Sequence, residues 1–370
     1  MYPWAMMRDL PNIFIKTNYV RCEDDFGFVD VTVDVPETTY IPVVPIRSSL
    51  GVAYPYGSIR GIYFSEEVKQ WINLGYKITY HQSYVFTRVS GIFDSYVKHF
   101  YQMKSNSHNT QFRTFYKLML NGLYGTLGMS PYNYKHYLAT IEYRDKMLTS
   151  GKLVDHTSIN NTLIELITID SKPTPDNIID KFIGTSNINL PRTITHQTQS
   201  NVAMASAITA YARMRITKDI LSFGDRAIYS DTDSIIVQAH PENYVTLGDD
   251  IGQYKAERLK DVVIINNKTY AYQYMSNAST QGDVVKIAGL PQDRLRNNLS
   301  LNDMKSVLIN KTSINYEYFN HIKNIPDLSM DRRLSKFTLK YIPSEQMTRY
   351  HTTDHYSSTP YHTSQLRLDN

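Results

Sequence analysis

The sequence predicts an α+β protein on three observations: an alternating strand at residues 28–35, helical periodicity at 93–128 and from 201 onward, and two apolar segments around an acidic turn at 227–237. In the first, Val29, Val31, Val33 and Val35 alternate with Asp30, Thr32 and Asp34 up to Pro36, which is the period of a half-exposed strand. Ser65 in the capping place, followed by Glu66 and Glu67 in a positive first turn, predicts a helix through Trp71 that stops at Gly75. Residues 8–92 thus read as a compact α+β unit.

Phe93, Tyr96, Val97, Phe100 and Tyr101 recur at helical spacing. After the polar break SNSHNT the pattern resumes with Phe112, Phe115, Tyr116, Met119 and Leu120, which predicts a helical hairpin with its apolar stripe toward a core. Residues 129–195 are polar and irregular, with strand-like runs such as LIELITI, and read as an insertion. From Asn201 a long helix carries Ala205, Ile208, Ala212, Ile216 and Ile220 on one stripe and stops near Gly224. The run HTTDHYSSTPYHTS predicts a frayed C-terminus.

With 370 residues, 42% of them hydrophobic, the chain suffices for a large core and two or three domain-sized units. Thirty tyrosines against sixteen glycines, in a text rich in Asn, Ile and Lys, point to an AT-rich genome of an organelle, virus or plasmid. The single cysteine, Cys22, excludes an internal disulfide and a cysteine zinc cluster and suits a reducing environment. No apolar run approaches the ~20 residues that span a bilayer, and no signal pattern opens the chain, so a soluble protein without membrane contact is expected. The net charge of +4 says little, but Lys286–Arg349 holds eleven Lys/Arg against six acids. That excess suits a polyanionic partner or a solvated helical face equally well.

Tyr229-Ser230-Asp231-Thr232-Asp233-Ser234 sets two carboxylates one residue apart on a tight turn between strands expected to be buried. Such a pair presents hard oxygen ligands to magnesium while leaving other positions open to phosphates. Acid-rich turns on hairpins are also commonly just solvated, and an EF-hand loop is excluded by Ile235 and Ile236. On the helix at 112–125, Arg113, Lys117, Asn121 and Tyr124 recur on the face opposite the apolar stripe. Two cations, an amide and a ring suit a triphosphate, a sugar or base edge and a stacked base. By spacing alone, a wet basic face accounts for them at least as well.

The order of these segments is more specific than either one. Lys117-Leu-Met-Leu-Asn121-Gly122-Leu-Tyr124-Gly125 resembles the KxxxNSxYG motif of family B DNA polymerases, and Tyr229–Ser234 resembles their YxDTDS motif. Lys268-Thr269-Tyr270 is similar to the KxY signature of the terminal-protein-primed subgroup, which contacts the primer end, and Met1–Met6 resembles the tail of DxxSLYPxxM. The likeness covers residues 1–285 and is nearest to polymerases of protein-primed phages and of linear plasmids in fungal and plant mitochondria.

This resemblance implies a right-hand polymerase with two insertions and without the N-terminal exonuclease domain. Its parts would be the end of the first palm motif (1–7), a primer-protein insertion (8–92), fingers (93–128), a second insertion (129–195), palm (196–283), thumb (284–345) and a flexible tail (346–370). It implies a metal site at Asp231 and Asp233, and a triphosphate grip by Lys117 with Arg113 and Lys104. Asn121 and Tyr124 would order the nucleotide, with Tyr2 against the sugar, excluding a ribose 2′-OH. Gly125, Thr232, Lys268 and Tyr270 would meet primer and DNA. The implied cofactor is Mg2+ in a two-metal mechanism, with Mn2+ as a substitute. Implied partners are DNA template-primer, deoxynucleoside triphosphates and a terminal protein primer, for a monomer in mitochondria.

Two departures stand out. Gly122 replaces the usual serine, a change expected to be tolerated. The family's first motif begins with a metal-binding aspartate a few residues before Tyr-Pro, and this chain opens inside that motif. The expectation is therefore severely impaired synthesis by this chain alone, or a remnant that binds nucleic acid without catalysis. Glu23-Asp24-Asp25 reads as a surface turn, not an exonuclease cluster, and the histidines show no metal-ligand spacing. A reverse transcriptase or an RNA polymerase is disfavoured: reverse transcriptases use adjacent aspartates in their acidic turn, and Tyr2, by the resemblance, argues for deoxynucleotide selection against an RNA polymerase.

Overall fold

The computed structural model describes residues 1–19, 25–129, 133–149, 153–158, 163–170, 200–275, 282–290, 299–323, 330–352 and 357–366. Cys22, Glu23 and Asp24, residues 171–199 of the expected insertion, Arg294, Arg296 and His355 lie outside them. The chain forms two compact units. One comprises Met1, Ile15–Val85 and Ala210–Asn370, the other Tyr2–Phe14 and Phe86–Thr209.

In the first unit, β2 (Gly27–Val35) alternates buried and half-buried residues along its whole length, as the valine spacing predicts. It pairs antiparallel with β5 (Gly57–Phe64) and β6 (Lys77–Val89), in a sheet of order β1-β6-β2-β5 with β1 at Leu10–Asn18. β1 and β6 both run on past the unit boundary. The buried valines pack on Val68 and Trp71 of α2 (Ser65–Asn73). Ser65 is not the cap of that helix. Phe64 holds the capping position without a side-chain bond, while the buried Ser65 hydroxyl accepts the Gly27 N–H at 3.3 Å. A buried strand end needs that acceptor more than a helix end whose acids already meet its positive pole.

The helix α6 (Val202–Phe223) begins in the second unit and ends in the first. Ala205, Ile208, Ala212 and Ile216 are buried as the stripe predicts, but so are Met204, Ala207, Ala210, Thr217 and Asp219. The single-stripe expectation is thus corrected: small alanines let neighbours close in on several sides of the helix. Within the first unit, the Arg213 guanidinium meets the buried Glu67 carboxylate through two nitrogens, Nη2 to Oε2 at 2.7 Å. Gln70 donates to the Met214 carbonyl at 3.0 Å. Gly224 (φ +61°) ends the helix in the left-handed region.

Beyond β10 (Ala227–Asp231) and β11 (Ser234–Val237), a sheet of β12 (Leu259–Asn266), β13 (Thr269–Tyr274) and β14 (Val284–Lys286) packs on α7 (Leu301–Asn310). Ser300 and Asp303 close a reciprocal capping box on α7. Val263, Ile265, Ala271, Val285, Met304 and Val307 form its core. A hairpin of β15 (Ser313–Lys323) and β16 (Met330–Lys340) follows in continuous register.

Residues 349–352 and 357–366 are held by pairing, which differs from the fraying expected there; residues 353–356 and 367–370 lie outside the described residues. β17 (Tyr350–His351) pairs with β18 (Ser358–Thr359), and the half-buried Arg349 donates to the Tyr40 carbonyl at 3.1 Å and to Ser358 Oγ at 3.0 Å. Tyr56 N–H donates to the Tyr361 carbonyl, and Thr363 N–H to the Tyr56 carbonyl, each at 3.0 Å. Polar composition suggested disorder, yet these polar groups pair with loop backbone beyond the small hairpin of β3 (Ile46–Ser48) and β4 (Gly51–Ala53).

The second unit holds the predicted helical hairpin, α3 (Asp94–Asn106) and α4 (Thr110–Leu127), beside α1 (Tyr2–Met6). Val97 and Leu120 are buried, and Tyr96 donates to the Met119 carbonyl at 3.0 Å. Phe112 and Phe115 are exposed and Leu120 is buried, so among the described residues only the later part of the α4 stripe faces a core. β7 (Asn133–Thr140), α5 (Ile141–Thr149), β8 (Leu153–Ser158) and β9 (Leu163–Asp170) form a sheet of order β7-β9-β8 with one helix, and LIELITI lies in β9. No helix among the described residues is long and apolar enough to cross a membrane.

Candidate active site

In the first unit, the acidic segment folds as a two-residue hairpin in which Asp231 pairs with Ser234. The turn closes tightly, Asp233 N–H to Asp231 carbonyl at 2.6 Å, and sets Thr232 at φ +53°. That region is costly for a β-branched residue, and such strain persists where surroundings enforce it. Thr232 Oγ1 donates to Asp231 Oδ1 at 2.9 Å, and Ser234 Oγ to the Asp231 carbonyl at 3.1 Å. The flanking strands are not buried as expected. No residue from Ala227 to Val237 is buried and Ile228 is 53% exposed, because among the described residues this two-stranded ribbon has no third strand.

A second two-residue turn, Asn267-Lys268 between β12 and β13, faces the first. Lys268 sits at φ +56° and its ammonium lies 3.1 Å from Asp231 Oδ1, a contact that raises the lysine's pKa. The Tyr229 hydroxyl accepts the Lys268 N–H at 2.8 Å and donates to Asn267 Oδ1 at 3.2 Å. Burial pushes the Tyr229 phenol up. Its ring stands 5.2 Å from that of Tyr270, over which the Lys286 ammonium lies at 5.7 Å. Asp231, Thr232, Asp233, Lys268 and Tyr270 thus cluster in one place. Sequence reading missed Asn267, whose signal was the Asn-Lys pair between two strand-like runs, a weak turn mark, and counted Lys286 only as the start of the basic segment.

The Asp233 carboxylate is 58% exposed, with the Met1 amino group 3.6 Å from Oδ2, and the Asp231 side chain is 22% exposed. Among the described residues no group of three or more His, Cys, Asp or Glu converges. Two accessible carboxylates still fit a magnesium-like cation, which takes one or two protein carboxylates and shares the rest of its shell with phosphate oxygens and water.

In the second unit, Asn109 caps α4 by accepting the Gln111 and Phe112 N–H groups, at 2.8 and 3.4 Å. Arg113, Lys117 and Asn121 are exposed along this helix, whereas Tyr124 is half-buried. The Tyr2 ring stacks on that of Tyr124, and the Lys104 ammonium lies 5.1 Å from the Tyr101 ring centre. A Cβ at Gly122 or Gly125 would meet nothing within 4 Å among the described residues, whose packing requires glycine at neither position.

A type B DNA polymerase is the class that this fold and these motifs define. Residues 1–224 match the family of DNA polymerases type B, organellar and viral, and the chain belongs to that family. A probable DNA polymerase of Podospora anserina is 28% identical over 334 residues, which cover 85% of this chain and 27% of that protein. One from Agaricus bitorquis is 28% identical over 344 residues, 86% of this chain and 42% of its own. The chain therefore spans well under half the length of these curated relatives. The fold is similar to that of phi29 DNA polymerase in its complex with primer-template DNA and incoming nucleotide. The TM-score is 0.61 at 19% identity, covering 92% of this chain and 56% of that one.

Proposed function

We propose that this chain carries the polymerising part of a DNA-directed DNA polymerase, which adds deoxynucleotides to a primer hydroxyl on a DNA template. The observation that carries the reading is the contact of Lys268 with Asp231, which joins the primer-contacting motif to the acidic turn at 3.1 Å. In this reading residues 93–128 are the fingers, 196–283 the palm and 284–345 the thumb.

Asp231 and Asp233 would hold magnesium, which when bound activates the attacking hydroxyl and neutralises charge on the phosphates. Lys117, with Arg113 and Lys104, grips the triphosphate. Arg113 and Lys117 are exposed on α4 and Lys104 is partly exposed on α3, so all three can meet phosphates without full desolvation. Asn121 and Tyr124 order the nucleotide, and the Tyr2 ring, already seated on Tyr124, leaves no room for a ribose 2′-OH. Lys268 and Tyr270 orient the primer end, while Gly125 offers a helix surface without a side chain to approaching DNA. Protein-primed replication of a linear mitochondrial plasmid, by a monomer using a terminal protein, is the biological setting proposed; the fungal relatives and the organellar and viral family support it.

Primer extension with Mg2+ or Mn2+ tests the reading, run on the chain as it stands and on one whose residues before Tyr2 read Asp-x-x-Ser-Leu. Template-directed incorporation by the Asp-x-x-Ser-Leu form that disappears in Asp231→Asn is the expected result. DNA binding without incorporation in any form would replace it with the binding-only reading.

A further inference from the structure

The mechanism above uses Lys268 but leaves unexplained why a lysine holds a left-handed conformation there. A side chain with a Cβ adopts φ +56° only when neighbours compensate, and the Lys268 N–H in a two-residue turn has no ladder partner of its own. Its acceptor is the Tyr229 hydroxyl, at 2.8 Å and 39 residues away. A phenol has one proton. Here it is directed to Asn267 Oδ1 at 3.2 Å, which turns the oxygen's lone pairs toward Lys268. The tyrosine is also fixed at its ring, beside Tyr270. Asn267 N–H is satisfied within the turn by Asn266 Oδ1 at 2.7 Å, so the Asn267 side chain is left to act outward.

We propose that Asn267 is a positioning residue: through the Tyr229 hydroxyl it locks the Asn267-Lys268 turn in the conformation that sets the lysine against Asp231 and the primer end. The inference rests on the polymerase reading for what Lys268 contacts, but the lock itself is a property of this hairpin pair. Asn267 touches neither metal nor substrate in this scheme. Its effect passes entirely through Tyr229 and the lysine backbone.

Two measurements on the full chain separate the lock from the reading it serves. Hydrogen–deuterium exchange reads the Lys268 amide directly: Tyr229→Phe and Asn267→Ala should each speed its exchange about tenfold, the worth of one hydrogen bond. Asn267→Asp, which keeps the acceptor, should restore slow exchange. Equilibrium binding of a fluorescent primer-template should weaken about tenfold in Asn267→Ala and in Tyr229→Phe, and no further in the double variant, because both cut one chain of contacts. Melting temperatures near that of the parent would show that the fold is intact. Unchanged Lys268 exchange in Asn267→Ala, or strictly additive binding losses, would overturn the lock. A Lys268→Ala chain that binds primer-template as tightly as the parent would defeat the primer role of the lysine, and with it the functional part of the inference, while exchange still reported on the hairpins.

Discussion

The ring of Tyr2 lies on the ring of Tyr124, centroids 4.1 Å apart and planes inclined by 19°. One ring comes from the Tyr-Pro segment and the other from the lysine-bearing helix, so a change at either should alter the one nucleotide contact proposed for them. Tyr2→Val, which keeps an apolar side chain but opens space, is expected to raise ribonucleotide relative to deoxyribonucleotide incorporation by about 10- to 100-fold. Single-nucleotide extension with matched triphosphate pairs measures this. An unchanged ratio would remove Tyr2 from sugar selection.

Gly125 offers a test with opposed signs. Because a Cβ there meets nothing among the described residues, Gly125→Ala should stabilise α4 by up to about 1 kcal/mol, through helix propensity alone. If DNA approaches this surface, the same substitution should weaken primer-template binding. Gly122→Ala should stabilise without that loss. Thermal melts and binding isotherms on the two variants read both effects.

Glu67 is buried against Arg213, whose side chain is 29% exposed. Burial pushes the Glu67 carboxyl up, although the guanidinium opposes the shift. Glu67→Met would leave the arginine half-sequestered without its counter-ion and should cost about 3 kcal/mol. The double replacement Glu67→Met, Arg213→Met should recover most of that, as urea denaturation of the four-member cycle would show.

Asp9 accepts from Ser90 Oγ at 2.7 Å and from Arg88 at 2.9 Å, and these bonds, Ser90 first, hold its carboxyl below the usual value. A depressed folded-state pKa contributes stability above the unfolded value of about 3.9 and loses it as pH falls through the folded value. Asp9→Asn should therefore melt lower than the parent at pH 6, with the gap closing below about pH 4. The site is partly exposed, so the gap should also shrink in high salt.

The held C-terminus makes Gly57 sensitive. A Cβ at Gly57 would stand 2.7 Å from His362 Nε2, and φ is +102° there. Gly57→Ala should expose residues 357–366 to limited proteolysis, as should Arg349→Ala, which removes the donors to Tyr40 and Ser358. Resistance equal to the parent's in both variants would show that other contacts hold the segment.

Sequence alone named the candidate site residues and the elements that hold them. The valine alternation of β2, the spacing of Arg113, Lys117, Asn121 and Tyr124 on α4 and the two-carboxylate turn are local patterns, set by side-chain direction over a few residues. It misjudged the environments of those elements: Ser65 bonds a strand instead of capping its helix, the acidic hairpin is not buried, and the polar end is paired. Each depends on what lies alongside, which no local period encodes. Only the tertiary structure set Lys268 on Asp231, stacked Tyr2 on Tyr124, and brought Arg349 to the Tyr40 carbonyl across 309 residues. Such contacts form when burial of the valine sheet and of the α7 core closes long loops, and a loop's closure entropy rises only slowly with its length. Distant partners are therefore selected by packing, while their chemical character is already written in the chain.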